Sequence, residues 1–201
     1  LCAAGAWSSL FCGSLGIKVP QLRVRGTVAR TNAVDSPIKG NIFDKNIGIR
    51  KRNDGGYTVA HGSVLDHSIT PSTFRYAPKY LRALWKEFNA LRISIGMDFF
   101  DELKVPKQWE LDKTSPFESM RVLSPAPNKS VVAEIEASLG LIFPEFKDAK
   151  IIETWAGMVE TTPDVVPIIC ESEEIPGFFI GTGFSGHGFG IGPAAGQAIA
   201  R

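Results

Sequence analysis

Net charge is missing from this sequence: 22 Lys and Arg oppose 21 Asp and Glu, leaving +1 with histidine neutral. That balance gives no overall field for nucleic acid, which is excluded as a partner. Long apolar runs are missing too, and no window approaches the roughly 20 residues that span a bilayer. Cysteine is scarce. Cys2, Cys12 and Cys170 cannot all pair internally and show no C-x-x-C spacing, so a reducing compartment is the simpler reading. Histidine occurs three times, with no H-E-x-x-H. His61 and His67 lack a third ligand and read as ordinary loop or strand residues, so no metal is expected. There is no internal repeat and no low-complexity tract. What remains is a globular composition, 201 residues with 44% hydrophobic and 21% charged, enough for one or two domains with a sizeable core.

The ends do not read as natural ends. Leu1-Cys2-Ala3-Ala4 suits a buried strand that begins on the first residue, which suggests a missing partner segment. No Met and no signal-peptide pattern precede it. A helix is expected from Trp7 to Gly16. The last residues, Gly192 to Arg201, start a helix near Pro193 that has no room to cap. The chain is therefore expected to be the C-terminal portion of a longer one.

Between the ends the pattern is mixed. Gln21 to Thr31 alternates apolar and polar residues, a half-buried strand with Leu22, Val24 and Val28 inward and Gly26 as a bulge or close-approach site. Asn53-Asp54-Gly55-Gly56 is a hairpin signal before Tyr57-Thr58-Val59. Pro78 to Leu91 predicts an amphipathic helix with Leu81, Leu84, Phe88 and Leu91 on one face. Asn128 can cap a second helix carrying Val131, Val132, Ile135 and Leu139, with Gly140 as its stop. Strands are expected over Ile151–Glu160 and Gly177–Gly181. An α+β region from Gln21 to about Lys150 is thus bracketed by two pieces of something else.

Glycine is where the sequence is rich. Seven of its 20 glycines fall in 181–196, GTGFSGHGFGIGPAAG. A strand leads in and a helix leads out. Glycines let backbone approach a ligand closely, and a helix N-terminus offers free N–H groups and a positive dipole end. A phosphate, a carboxylate or the anionic edge of a reduced cofactor ring would suit such a loop. Gly181, Gly183 and Gly186 formally fit G-x-G-x-x-G, but three spaced glycines are expected by accident in so rich a tract. No acidic residue follows about twenty positions on. Ser185 sits in G-F-S-G-H rather than G-x-S-x-G, so a nucleophile elbow is not supported.

Three segments together resemble the flavin-dependent amine and amino-acid oxidoreductases of the D-amino-acid oxidase type: AAGAWSS (Ala3–Ser9), ETWAGMVETTPDVVPII (Glu153–Ile169) and GFFIGTGFSGHGFGIGPAAG (Gly177–Gly196). The resemblance implies an α/β plus α+β fold. It would be part of a Rossmann-like FAD-binding domain with an interposed mixed-sheet substrate domain. Residues 1–20 and 151–201 would be pieces of the FAD-binding domain. Residues 21–150 would bind substrate, with a helical insertion at about 70–115. FAD is the implied cofactor. Gly5, Ala6, Trp7, Gly157, Gly183, Phe184, Ser185, Gly186, Gly188, Phe189, Gly190 and Ile191 would line it. A further implied partner is an N-terminal segment of the same protein carrying the dinucleotide fingerprint.

The stretch SIGMDFFDELKVPKQWELDKTSPFESMRVLSPAPN, Ser94 to Asn128, is similar to bacterial membrane-associated L-amino-acid deaminases. There an arginine after the P-F-E element binds the substrate carboxylate, and the matching residue is Arg121. A planar guanidinium suits that task by gripping a carboxylate with two hydrogen bonds. Arg121 is expected in a strand pointing at the site. At the matching pocket position this chain has His187 where a tryptophan is expected, and its G-F-S-G-H-G-F-G tail is closer to soluble oxidases of glycine and D-amino acids. Chirality therefore stays open between L- and D-amino acids. Secondary amines, and a non-catalytic binding module, are the other readings. The resemblance implies oxidation of an α-amino acid to a 2-oxo acid and ammonia. Arg75, Lys79, Arg82 and Lys86 recur at helical spacing as a basic stripe. Either an ordinary solvated face or an anionic membrane surface as partner would account for it. The expected place is cytoplasmic, with a peripheral position at the inner membrane under the second reading.

Overall fold

The computed structural model describes residues 1–87 and 91–201, without the side chains of Leu84, Lys86 and Glu87. Its elements in chain order are α1 (Ser8–Ser14), β1 (Leu22–Thr31), β2 (Asn41–Phe43), β3 (Gly48–Lys51), β4 (Tyr57–Ala60), β5 (Leu65–Ser68), α2 (Pro71–Glu87), β6 (Leu91–Ser94), α3 (Asp98–Lys104), α4 (Pro116–Ser119), α5 (Lys129–Ile142), β7 (Ile151–Thr161), β8 (Ile168–Glu171), β9 (Phe179–Thr182) and α6 (Gly188–Ile199). The architecture is mixed α/β. The chain forms two compact units. A nested unit holds Arg25–Asp66 and Leu123–Gly157. A flanking unit holds Leu1–Val24, His67–Val122 and Met158–Arg201, so the helical stretch around 70–115 groups with the chain ends.

The nested unit follows the sequence pattern closely. Burial alternates along β1, but the inward set is Leu22 and Val24, then Thr27, Ala29 and Thr31. The phase slips by one residue at Arg25–Gly26, as at a bulge, so Val28 is only half-buried where it was expected inward. β1 pairs antiparallel with β4 (Ala29↔Val59), β4 with β3, and β3 with β2. The β3–β4 hairpin turns at Arg52–Gly56. There Gly55 adopts φ +81°, and the Arg52 N–H donates to the Gly56 carbonyl at 2.9 Å.

Asn128 caps α5 by accepting from the Ser130 N–H at 3.0 Å. Val131, Ile135 and Leu139 of α5 are buried with Ile47, Ile49, Tyr57, Val59 and Phe146. The Tyr57 and Phe146 rings meet edge to face at 4.8 Å. Each such side chain contributes about 1.5–3 kcal/mol on burial. α5 runs through Gly140 to Ile142 and is ended instead by Pro144, which forces Phe143 into extended backbone.

In the flanking unit β8 and β9 form an antiparallel pair. Cys2 makes a single parallel bridge to Ile180, its N–H donating to Phe179 at 2.7 Å. The expected strand at Leu1–Ala4 is therefore reduced to one bridge: Leu1, Ala3 and Ala4 are exposed, and the backbone turns away at Gly5 with φ +53°. The helix expected from Trp7 to Gly16 is shorter, a 3-10 turn at Gly5–Trp7 followed by α1.

α2 begins at Pro71, not Pro78, and carries Pro78 in its interior. Leu91 lies in β6, outside the helix. Phe88 and the side chains of Leu84 and Lys86 lie outside the described residues. Tyr80 is the inward residue of α2. It accepts from the Leu22 N–H at 3.1 Å and donates to the Thr161 carbonyl, tying α2 to β1 and β7. Burial pushes its phenol up to about 12. Leu81, expected in the core, is 65% exposed, as are Phe74 at 66% and Trp85 at 88%. Among the described residues no helix is long and apolar enough to cross a membrane.

Candidate functional site

The glycine-rich tail forms a tight loop between β9 and α6. Gly183, Ser185 and Gly186 all have positive φ, at +78°, +51° and +85°. A Cβ at Gly183 would stand 2.4 Å from the Thr162 methyl, so only glycine fits where the loop passes the end of β7. The Ser185 hydroxyl donates to the Gly183 carbonyl at 3.2 Å, and the His187 N–H donates to Phe184 at 2.9 Å. His187 is exposed and occupies the N-cap position of α6 without capping it by side chain.

α6 thus starts at Gly188, five residues before Pro193, where the sequence placed it. Pro193 sits inside the helix, where it removes one backbone N–H. In the first turn of α6 the Gly190 and Ile191 N–H groups donate to the His187 carbonyl at 3.1 and 3.3 Å, and those of Gly188 and Phe189 have no acceptor among the described residues. Cβ atoms at Gly190 and Gly192 would meet nothing within 4 Å, and Phe189 is fully exposed. This helix end is open to an anionic group from outside the chain.

The Gly5–Trp7 turn belongs to the same unit. The Gly5 carbonyl accepts from Gln21 Nε2 at 3.1 Å and from the Thr182 hydroxyl at 3.4 Å. Ala6 is buried, and its carbonyl accepts from Arg23 Nε at 2.9 Å. The Arg23 guanidinium lies 5.1 Å from the Trp7 ring centre. Burial lowers the Arg23 pKa, and the Glu102 carboxylate partly opposes that.

Phe117 of α4 packs edge to face against both Trp7 and Trp109, each at 5.4 Å. The α4 turn is held by a capping box, with the Ser115 N–H and hydroxyl both donating to Glu118 at 2.7 Å. Those bonds hold the Glu118 carboxyl below its usual range, with a smaller share from Arg121.

Arg121 follows that turn but is not in a strand. Residues 120–128 have no regular structure. Pro125 and Pro127 supply no N–H for a ladder, and the chain stays irregular until α5. Arg121 is exposed and makes no hydrogen bond with a described residue. Packing of Phe117 on Trp7 brings its segment to the Gly5–Trp7 turn. The nitrogens of His67 are taken by the Arg23 carbonyl at 2.8 Å and the Thr73 hydroxyl at 3.0 Å. Among the described residues no group of three metal-ligating side chains forms. Gly157 is the last residue of the nested unit, whereas the other candidates belong to the flanking unit.

Gln21 and Arg23 carry no motif in the sequence, and Phe117 and Thr182 appear there only as members of the P-F-E element and the Gly177–Gly196 segment; their importance comes from partners far along the chain.

The family described as DAO, FAD dependent oxidoreductase, matches this chain over residues 1–201. The chain belongs to that FAD-dependent family. It is similar to an L-amino acid deaminase from Proteus myxofaciens solved in complex with anthranilate, with 35% identity and TM-score 0.91 over 98% of this chain and 44% of that one. It is similar also to the L-amino acid deaminase from Proteus vulgaris, at 30% identity and TM-score 0.89, covering 98% and 46%. Sarcosine oxidase subunit beta from Arthrobacter sp. is 36% identical over 71 residues, 35% of this chain and 17% of that protein. The chain therefore spans less than half the length of these proteins. The uncapped α6 terminus, with open space over Gly190 and Gly192, fits the anionic edge of a flavin.

Proposed function

We propose that this chain is the substrate-facing and flavin-facing part of an FAD-dependent deaminase. The reaction is oxidation of an L-α-amino acid to an imino acid, which water hydrolyses to a 2-oxo acid and ammonia. The observation that carries this reading is the meeting, within one unit, of the Gly5–Trp7 turn, the Gly183–Gly188 loop and the α4 segment leading to Arg121. The likeness to the Proteus deaminases over 98% of the chain supports it.

FAD, when bound, supplies the hydride acceptor. Arg121 grips the substrate carboxylate with two hydrogen bonds and fixes the direction of the Cα–H bond. Its exposure leaves the guanidinium available for that, with no hydrogen bond to a described residue and only the Glu118 carboxylate acting on it through charge. His187 shapes the pocket at the start of α6. The N–H groups of Gly188 and Phe189, with the positive end of the α6 dipole, hold negative charge as it develops. Gly5, Ala6, Trp7, Gly183, Phe184, Ser185 and Gly186 line the cofactor in this reading. Residues 1–20 and 151–201 act as flavin-binding pieces around a substrate domain at 21–150. A segment of the protein outside this chain supplies the dinucleotide fingerprint.

The exposed Phe74, Leu81 and Trp85, beside Arg75, Lys79 and Arg82, give α2 a peripheral membrane role in this reading. Flotation with anionic vesicles at low salt tests it, and a protein that stays at the bottom removes it. A second reading, oxidation of a secondary amine, is favoured by the local match to sarcosine oxidase subunit beta.

The deciding experiment uses the full-length native protein. Its visible spectrum is expected to show flavin, bleached anaerobically by L-amino acids. Bleaching by sarcosine alone would favour the second reading. Bleaching only by glycine or D-amino acids would reverse the chirality assignment. A protein that stays colourless with added FAD would be a binding module.

A further inference from the structure

Gln21 stands immediately before β1 and is 2% exposed. Its carboxamide meets three partners from two distant parts of the chain. Oε1 accepts from the Ser9 N–H at 3.0 Å. Nε2 donates to the Gly5 carbonyl at 3.1 Å and to the Thr182 hydroxyl oxygen at 3.1 Å. The amide orientation is fixed by its partners, since a backbone N–H can only donate and a carbonyl can only accept. Thr182, fully buried, donates in turn to the same Gly5 carbonyl at 3.4 Å. The result is a closed triangle of hydrogen bonds between Gln21, Thr182 and Gly5, anchored to the start of α1 through Ser9.

Its corners are informative. Gly5 opens the Gly5–Trp7 turn in left-handed backbone, and Thr182 directly precedes Gly183, where the loop before α6 begins. These are the two segments that the flavin-site reading places against the cofactor. The apolar cluster beside them has Cys2, Cys12, Ile17, Val19 and Ile180 buried, with Phe11, Ile168, Ile175 and Phe178 partly buried against it. Polar bonds buried at such a junction fix geometry more sharply than apolar contact, because they are directional and costly to leave unmade.

We propose that Gln21 is a positioning residue for the flavin site, its buried carboxamide holding the Gly5–Trp7 turn and the Thr182–Gly188 loop in one register. It acts through those segments and touches neither cofactor nor substrate. The proposal rests on the flavin-site reading and adds to it a residue that no motif marks.

The test uses full-length protein stripped of FAD and reloaded. Gln21→Met keeps the length of the side chain and removes all three bonds. Thr182→Val removes two of the triangle's bonds, those to Gln21 and to Gly5, and keeps the volume. FAD affinity is read by fluorescence titration, flavin geometry by the positions of the absorption bands, and the fold by the apoprotein melting curve. Gln21→Met is expected to weaken FAD binding at least about tenfold, the ratio expected from losing one or two buried hydrogen bonds. The flavin bands should shift. Thr182→Val should shift the same bands by less. Unchanged affinity and band positions in both variants would overturn the proposal, whatever happens to the melting temperature. Should Gln21→Met fail to fold, Thr182→Val decides alone. A parent protein that binds no FAD would take down the flavin-site reading and this proposal together, and is recognisable because the unsubstituted sample fails.

Discussion

The nested unit and the flanking unit are held together by different means. The nested unit has nine buried hydrophobic residues in one cluster, each at most 2% exposed, and two of them are aromatic rings in direct contact. The flanking unit has five in its buried cluster, Cys2, Cys12, Ile17, Val19 and Ile180, and the aromatic rings packed on that cluster, Phe11 and Phe178, are only partly buried. It relies instead on buried polar bonds made by Gln21, Thr182 and Tyr80, and on glycines in left-handed backbone. It also leaves large apolar residues in the open, with Trp85 at 88% and Phe189 at 101% exposure. A unit built on apolar packing tolerates no cavity but needs no exact orientation. A unit built on directional bonds holds backbone at defined angles, which is what a cofactor surface requires.

The largest effect that would test this contrast is in the nested unit. Phe146→Ala is expected to cost about 3–5 kcal/mol, measured by urea unfolding, with the flavin spectrum unmoved below the transition. A spectral change at full folding would break the separation of roles. Next comes Arg121→Met, expected to raise KM on the order of 100- to 1000-fold while the melting temperature stays constant. An unchanged KM would remove the clamp. Gly183→Ala should cost about 1–3 kcal/mol, from left-handed backbone and from the clash with the Thr162 methyl, and should weaken FAD retention.

A further test is alkaline. Burial, with the neighbouring Cys2 thiol, pushes the Cys12 thiol up to about 12 from 9.0. The folded state keeps that proton where the unfolded chain loses it. Stability should therefore be full below pH 9 and fall as pH rises toward 12. At neutral pH iodoacetamide should label the exposed Cys170 and spare Cys2 and Cys12 until the protein unfolds. Labelling of all three in the native state would show that the flanking unit opens easily.

The nested unit was the more legible of the two in the sequence. Its signals are local: the alternation before Thr31, the turn at Asn53–Gly56, and the Asn128 cap with its apolar spacing. The flanking unit was read through its glycines, and two of its helices were placed late for one reason. Pro78 and Pro193 each looked like a helix start, because proline favours helical φ and needs no donor there. Each sits inside a helix instead, where its cost is one missing hydrogen bond that packing can carry. In β1 Gly26 reads as a bulge from the sequence, but the alternation carries the inward face past it unchanged to Val28, whereas the slip there turns Thr27 and Ala29 inward instead. Gln21 was invisible because a buried amide looks like any other glutamine until its partners, up to 161 residues away, are known.

That separation has a consequence during synthesis. Ribosomes add about 5–20 residues per second, so on the order of ten seconds or more pass between translation of Gln21 and of Thr182. The nested unit is complete at Gly157 and can close while the last stretch is still being made. Throughout that interval the Gly5 turn waits for one of its two side-chain donors. The Gly5 turn thus gains its second side-chain donor only once β9 has been made.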